Sequence, residues 1–167
     1  WSSDVCSSDL GDRGRVYLPP SLEQESIARS AKPAWCPEQE MNQDTSNLVS
    51  GRGYGITHWH ELFTPRQLFA LTTFSDLVGD AIERVKHDAL GVGFPDDGKP
   101  LRQGGNGAQA YAEALGLYLA LTVSRTTNTV NALAVWSQSR QQTVNLFSRQ
   151  AIPMGWDFPE VNPFAGA

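Results

Sequence analysis

Residues 63–86, which read FTPRQLFALTTFSDLVGDAIERVK, carry the clearest structural pattern in the chain. Thr64 stands at an N-cap position, Pro65 at the first helical position and Gln67 three residues after the cap. Together they form a capping box that begins a helix. The three- and four-residue steps that follow are Leu68, Leu71, Ser75, Val78, Ile82 and Val85, with Phe74, Leu77 and Ala81 widening the stripe. This pattern predicts an amphipathic helix of about six turns that ends near Lys86.

The same capping box occurs at Ser21 and at Ser139, each followed three residues later by glutamine. The first predicts a short helix over residues 21–31, and the second predicts a short helix that runs through Phe147.

A second long helix is expected to begin near Asn106, with Gln109 as its N3 residue. Residues 88–107, which precede and enter it, are rich in glycine and proline and predict an exposed loop. The predicted buried stripe of this helix comprises Tyr111, Leu115, Tyr118, Leu119, Thr122 and Val123. We therefore expect two long helices joined by a glycine-rich connection.

The composition excludes several classes of protein. The chain has 167 residues, a formal net charge of −5, 40% apolar residues and two cysteines. No apolar run reaches the roughly 18 residues of a membrane helix, and two cysteines cannot make a disulfide scaffold or a zinc ribbon. A freestanding nucleic-acid binder usually shows basic clustering, which is missing here. We expect a cytoplasmic protein without a membrane segment.

Residues 1–10, WSSDVCSSDL, resemble residue for residue the translation of a widely used short-read sequencing adapter. They lack the basic start and apolar core of a signal peptide, so we expect them to be non-native. Setting them aside removes two of the 18 acidic residues and one cysteine. The 13 basic residues then face 16 acidic ones, the net charge becomes −3, and Cys36 is the remaining cysteine. We expect residues 11–167 to be an internal fragment of a longer protein.

His58 and His60 flank Trp59, and on a strand their imidazoles would share one face, which is a usable metal geometry. A third ligand at a suitable spacing is missing from the sequence unless the fold brings His87 or Cys36 near. We therefore predict no metal site, with a metal-dependent hydrolase as a remaining alternative.

A cofactor loop follows an apolar strand and opens a helix. The glycines at 51–55 follow a poor strand and no helix comes directly after them, whereas those at 104–107 open a helix but follow a polar loop, so we interpret both as turns. The string Asn162-Pro163-Phe164 resembles part of the Asn-Pro-Pro-Phe motif of amino-methyltransferases, but the second proline is absent. We predict no catalytic residue in this chain.

Arg66-Gln67 and Arg149-Gln150 each pair a guanidinium with an amide, a combination that can contact phosphates and base edges. These four residues are the candidate nucleic-acid contacts. The first pair is equally explained by the cap and first turn of a helix.

Several longer strings are similar to one bacterial family, the large adenine-specific DNA methylases that carry an N-terminal domain of unknown function. The two most specific blocks are 62–78, which contains LFTPRQL and ALTTFSDLV, and 147–163, FSRQAIPMGWDFPEVNP. Shorter matches lie at 14–20, 31–35, 54–57, 97–101, 104–112 and 118–120. The resemblance covers nearly all of residues 11–167.

The resemblance implies a DNA amino-methyltransferase that uses S-adenosylmethionine and has a Rossmann-like catalytic domain. In such enzymes the target base is flipped out of the duplex, and its exocyclic amine attacks the donor methyl. The donor-binding glycine motif would precede this segment and the catalytic Asp-Pro-Pro-Tyr motif would follow it. The cofactor and the DNA partner are therefore implied for the parent protein, and we expect the fragment alone to be inactive.

The expected fold is mainly α with a few short strands, as part of a larger α/β methyltransferase. Residues 11–53 are expected to be irregular with one short helix, and 54–167 to be the helical middle region of the methylase. The alternative function is a non-catalytic helical interaction module, whose apolar stripes at 68–85 and 111–123 would meet a partner. The oligomeric state does not follow from the sequence.

Overall fold

A computed structural model describes residues 9–11, 14–16, 19–42, 54–147, 152, 155, 157 and 159–163. In these ranges the chain forms three α-helices and two antiparallel two-stranded pairs. The elements are β1 (Asp9–Gly11), β2 (Gly14–Val16), α1 (Leu22–Ser30), α2 (Pro65–Gly91), α3 (Ala108–Thr126), β3 (Val135–Ser137) and β4 (Gln142–Val144), with 3-10 turns at Trp59–Leu62 and Leu101–Gln103. The prediction of a mainly α fold with a few short strands is confirmed for the described residues.

The chain divides into two compact units. One, which we name the split unit, combines Trp1–Ala70 with Thr126–Ala167; the other, the helical unit, is Leu71–Arg125. Helix α2 begins in the split unit and continues in the helical unit. The sequence-based boundaries at residues 10 and 53 stay predictions.

The predicted caps of α1 and α2 are confirmed. At α1, the Gln24 amide donates to Ser21 Oγ over 3.2 Å, and the Ser21 amide donates to Gln24 Oε1 over 2.8 Å. At α2, the Thr64 amide donates to Gln67 Oε1 over 2.8 Å, and the Gln67 amide donates to Thr64 Oγ1 over 3.4 Å. Each box satisfies backbone donors that the helix itself leaves unpaired.

Helix α2 continues past Lys86 to Gly91, so the predicted end was too early. The helix stops where Gly93 adopts a left-handed backbone with φ of 80°. The Phe94 amide donates to the Ala89 carbonyl over 2.9 Å and the Gly93 amide to the Leu90 carbonyl over 3.0 Å. This is a Schellman termination, which favours glycine because of its positive φ.

The core of the split unit is a cluster of large apolar side chains drawn from separate parts of the chain. Its members are Met41, Leu62, Leu133, Leu146 and Ile152, with Ile56 and Phe63 packed against it. The buried Asn131 braces the same region, since its Nδ2 donates to the Thr127 carbonyl and its Oδ1 accepts from the Leu133 amide, both over 3.0 Å. The Ala132 amide also donates to the Leu62 carbonyl over 2.8 Å.

The helix predicted from Ser139 through Phe147 is wrong, because this segment belongs to a β-hairpin. Strand β3 pairs with β4 so that Val135 lies opposite Val144 and Trp136 opposite Thr143. Aromatic and β-branched cross-strand pairs favour a sheet over a helix. Ser139 lies in the turn between the two strands, so its capping pattern does not begin a helix.

The predicted buried stripe of α3 is also wrong in its main members. Tyr111, Tyr118 and Leu119 are exposed, whereas small side chains are buried. The buried positions of α3 are Ala108, Ala110, Ala112 and Gly116. A Cβ on Gly116 would lie 2.4 Å from Ile82 Cγ1, so the backbone of α3 comes close to the side chains of α2 at this point.

The start of α3 differs from the predicted capping box near Asn106. The Ala108 amide donates to the Pro95 carbonyl over 2.8 Å, and the Gln109 amide donates to Asp96 Oδ1 over 3.4 Å. The Gln109 side chain points forward instead, donating to Glu113 Oε1 over 2.5 Å. The cap of α3 therefore comes from a preceding loop residue, which local spacing does not reveal.

Candidate functional site

The first candidate contact pair, Arg66 and Gln67, lies in the first turn of α2. Gln67 is 3% exposed, and its side-chain oxygen is engaged in the cap with Thr64. Burial and capping together give this amide a structural role in the isolated chain. Its contact with nucleic acid stays a prediction.

Arg66 forms a two-point ion pair with Glu160. Its Nε donates to Glu160 Oε1 over 2.7 Å, and its Nη2 donates to Glu160 Oε2. The side chains of Arg66 and Glu160 are 25% and 17% exposed. A bidentate guanidinium–carboxylate pair of this kind fixes geometry as well as charge. The sequence suggested that the Arg66 guanidinium could bind a phosphate. In the fold it binds the carboxylate of Glu160 instead.

Sequence reasoning missed Glu160, although it lies inside the block 147–163. It is 94 residues from Arg66, so no helical or strand periodicity links the two. The second candidate pair, Arg149 and Gln150, lies outside the described residues. Its role in nucleic-acid contact stays a prediction.

The second candidate region is the 3-10 turn Trp59–Leu62 with His58 before it. The ring centres of His58 and His60 are 5.4 Å apart, with planes inclined by 40°. Glu61 accepts from the amides of Thr57 and His58 over 2.5 and 3.0 Å. These amides, that of His58 first and then that of Thr57, hold the pKa of the Glu61 carboxyl below its ordinary value.

Each histidine has a specific neighbour at Nδ1. His60 Nδ1 lies 2.9 Å from the Pro37 carbonyl oxygen, and His58 Nδ1 lies 2.7 Å from Thr57 Oγ1. Among the residues that the structure describes, no three His, Cys, Asp or Glu side chains form a group able to hold a metal ion. His87 is an exposed residue of α2, and Cys36 is a half-buried free thiol.

The glycine-rich loop before α3 is organised by acidic side chains. Asp97 accepts from the Lys99 amide over 3.1 Å and from the Asn106 amide over 3.4 Å, and these bonds, that of Lys99 first, lower its pKa. Glu113 on α3 accepts from the Leu101 amide over 2.6 Å. The Gln109 side chain first, and this amide second, lower the pKa of Glu113.

Two glycines of this loop, Gly105 and Gly107, lie in close contact with the backbone of the same loop. A Cβ on Gly105 would lie 2.1 Å from the Lys99 carbonyl oxygen, and one on Gly107 would lie 2.6 Å from the Asp97 amide nitrogen. At both positions, backbone atoms of residues 96–99 occupy the space that a side chain would need. These glycines serve a tight turn, in which a larger residue would meet backbone atoms.

No α-helix in the described part of the chain has both the length and the apolarity needed to cross a bilayer. Comparison with protein-family models, with curated proteins and with solved structures gives no match for this chain.

Proposed function

We propose that this chain is a segment of a bacterial DNA adenine methyltransferase that uses S-adenosylmethionine, lying beside a Rossmann-like catalytic domain in the parent protein. The observation that carries the proposal is the similarity of blocks 62–78 and 147–163 to that family. Both blocks are long, and together they cover positions far apart in the chain.

The packing of the split unit supports treating these blocks as one functional element. Leu62 of the first block and Ile152 of the second belong to the same buried cluster. Arg66 of the first block is paired with Glu160 of the second. Two blocks that resemble one family and also share a core are constrained together by folding, as parts of one domain would be.

The segment itself is proposed to be inactive. Its sequence has neither the donor-binding glycine motif nor the Asp-Pro-Pro-Tyr motif. S-adenosylmethionine and DNA are therefore assigned to the parent protein, and no chemical step is assigned to residues of this chain.

The decisive experiment is expression of the intact reading frame that contains residues 11–167. We expect an Asp-Pro-Pro-Tyr motif in that frame and transfer of a labelled methyl group to adenine N6, measured by mass spectrometry of digested DNA. The 167-residue chain assayed in parallel is expected to transfer none. A frame that lacks the motif and leaves adenine unmodified would contradict the proposal.

A non-catalytic interaction module is the second candidate, favoured by the exposed apolar side chains of α3. Leu117, Tyr118 and Leu121 are 54%, 70% and 57% exposed. Exposed apolar patches of this kind often mark contact surfaces. This candidate predicts an intact frame without methyl transfer, so the same experiment separates the two functions.

A further inference from the structure

The pair His58 and His60 is not used by the proposed function, and its rings lie at a separation that suits binding of one metal ion. Two imidazoles that share one tetrahedral zinc ion, through nitrogens about 2.0 Å from the metal, hold their ring centres roughly 5 Å apart. The observed separation is 5.4 Å. The separation of the two rings therefore matches that of a pair of imidazoles on one ion.

The neighbour of His60 fixes which nitrogen is free. The Pro37 carbonyl can only accept a hydrogen bond, so the 2.9 Å contact places the proton on His60 Nδ1. The neutral ring then carries its lone pair on Nε2. A backbone carbonyl that holds the far nitrogen of a histidine in this way is the usual outer support of a metal-binding imidazole.

The neighbours of His58 permit the same arrangement. Thr57 Oγ1 lies 2.7 Å from His58 Nδ1 and 3.4 Å from Glu61 Oε2. Because a carboxylate accepts, the Thr57 hydroxyl can donate to Glu61 and accept from His58 Nδ1. In that arrangement the lone pair of His58 lies on Nε2 as well.

Negative charge lies beside Nε2 of His58. Glu40 pairs with His58 in an isolated antiparallel bridge, and its Oε1 is 4.0 Å from His58 Nε2. The Glu40 side chain is 77% exposed. A carboxylate at this distance favours a cation at the imidazole without itself being counted as a ligand.

We propose that His58 and His60 form an open, two-imidazole binding site for a borderline divalent transition-metal ion such as Zn²⁺, with water in the remaining coordination positions. Imidazole nitrogen suits zinc, copper and nickel and does not favour magnesium or calcium. The described residues supply two imidazoles here and no group of three ligands, so we expect an ion bound by this pair to exchange readily. The site lies within the split unit and does not depend on the methyltransferase proposal.

The test is calorimetric titration of the full 167-residue chain with Zn²⁺ alone. We expect one saturable site per chain, and His58→Ala or His60→Ala is expected to weaken it at least about ten-fold, the lower end of what loss of an outer support costs elsewhere. His87→Ala is the matched control, because His87 is the third histidine of the chain and is exposed on α2. Cys36→Ser is the second control, and both are expected to bind as the unaltered chain does.

Loss of binding in His87→Ala or Cys36→Ser, or absence of saturable binding by the unaltered chain, would overturn the assignment. Nuclear magnetic resonance of the unaltered chain keeps the test independent of folding defects in the variants. On addition of Zn²⁺ the Nε2 resonances of His58 and His60 are expected to shift. A shift confined to Nδ1, or to His87, would equally refute it.

Discussion

The split unit and the helical unit bury their apolar surface by different means. In the split unit, large side chains such as Leu62 and Leu146 come from distant segments and are wholly buried. In the helical unit, α3 buries Ala112 and Gly116 and leaves Leu117 and Tyr118 exposed. The contrast between this cluster and α3 predicts that shortening a side chain destabilises the cluster, whereas adding one at Gly116 destabilises the packing of α3.

The largest effect is expected from Leu62→Ala in the split unit. The Leu62 side chain is fully buried in the apolar cluster, so its truncation removes transfer free energy and leaves a cavity. We expect the free energy of unfolding to fall by about 3 kcal/mol, measured by urea denaturation followed by circular dichroism.

The matched control is Leu117→Ala, the same chemical change at a position that is 54% exposed on α3. Away from a core such a change should stay within about 0.5 kcal/mol. Equal losses for the two variants would show that the units do not differ in the way their burial indicates.

The reverse change tests the helical unit, where Gly116→Ala adds a methyl group at the close approach to Ile82. A Cβ there would lie 2.4 Å from Ile82 Cγ1 and 2.5 Å from Cδ1. We expect a net loss of about 1–2 kcal/mol in the free energy of unfolding, because overpacking outweighs the helix propensity that alanine gains.

Gly79→Ala on α2 is the control, since a Cβ at Gly79 meets nothing within 4 Å. It should stabilise the chain by about 0.5–1 kcal/mol through helix propensity alone. Combining Gly116→Ala with Ile82→Ala should give a smaller loss than the two single losses added together. Strict additivity would show that Ile82 is not the obstacle.

These contrasts explain which parts of the structure the sequence predicts. The cap of α2 at Thr64 and Gln67 is encoded by residues three positions apart, so local pattern is sufficient. The burial of Gly116 depends on Ile82 of another helix, and hydrophobic periodicity favours the larger neighbours instead. At Ser139 the capping pattern does not begin a helix, because the residues around it form the hairpin of β3 and β4. The capping pattern alone does not reveal this pairing.

The candidate site shows the same limit. Sequence spacing places Arg66 at the start of a helix and His58 two residues before His60. It does not reveal that Glu160 meets Arg66 or that the Pro37 carbonyl orients His60, because these contacts cross 94 and 23 residues. The residue type shows which side chains could bind a ligand. Whether such a side chain is already bonded to another part of the chain depends on tertiary contacts.

The ion pairs of the two units provide a third, smaller contrast. Breaking the partly buried Arg66–Glu160 pair by Glu160→Gln should lower the free energy of unfolding by about 1–2 kcal/mol, between the values typical of exposed and fully buried pairs. The control is Asp88→Asn, which breaks the pair of Arg84 with Asp88, whose side chains are 82% and 60% exposed. That change should stay within about 0.5 kcal/mol, and a larger loss there than at Glu160 would reverse the contrast.

The smallest expected effect is an acid dependence carried by Glu113 in the helical unit. Its carboxylate accepts from the Gln109 side chain and the Leu101 amide, and both bonds lower its pKa in the folded chain. An unfolded glutamate titrates at about pH 4.3, so the folded state binds fewer protons just below that pH. The stabilisation is therefore fully present above about pH 4.3 and is lost as pH falls through the lower, folded pKa.

The variant Gln109→Ala sharpens this prediction, because it removes the larger cause and keeps the titrating carboxyl. The pKa of Glu113, followed by its side-chain carbon resonance, should lie below the unfolded value in the unaltered chain and move toward it in Gln109→Ala. The Leu101 amide resonance should titrate with the same midpoint, since that amide donates to Glu113 over 2.6 Å. Different midpoints for Leu101 and Glu113 would show that the Glu113 carboxylate does not hold the loop before α3. The backbone contacts of Gly105 and Gly107 would then be what organises that loop.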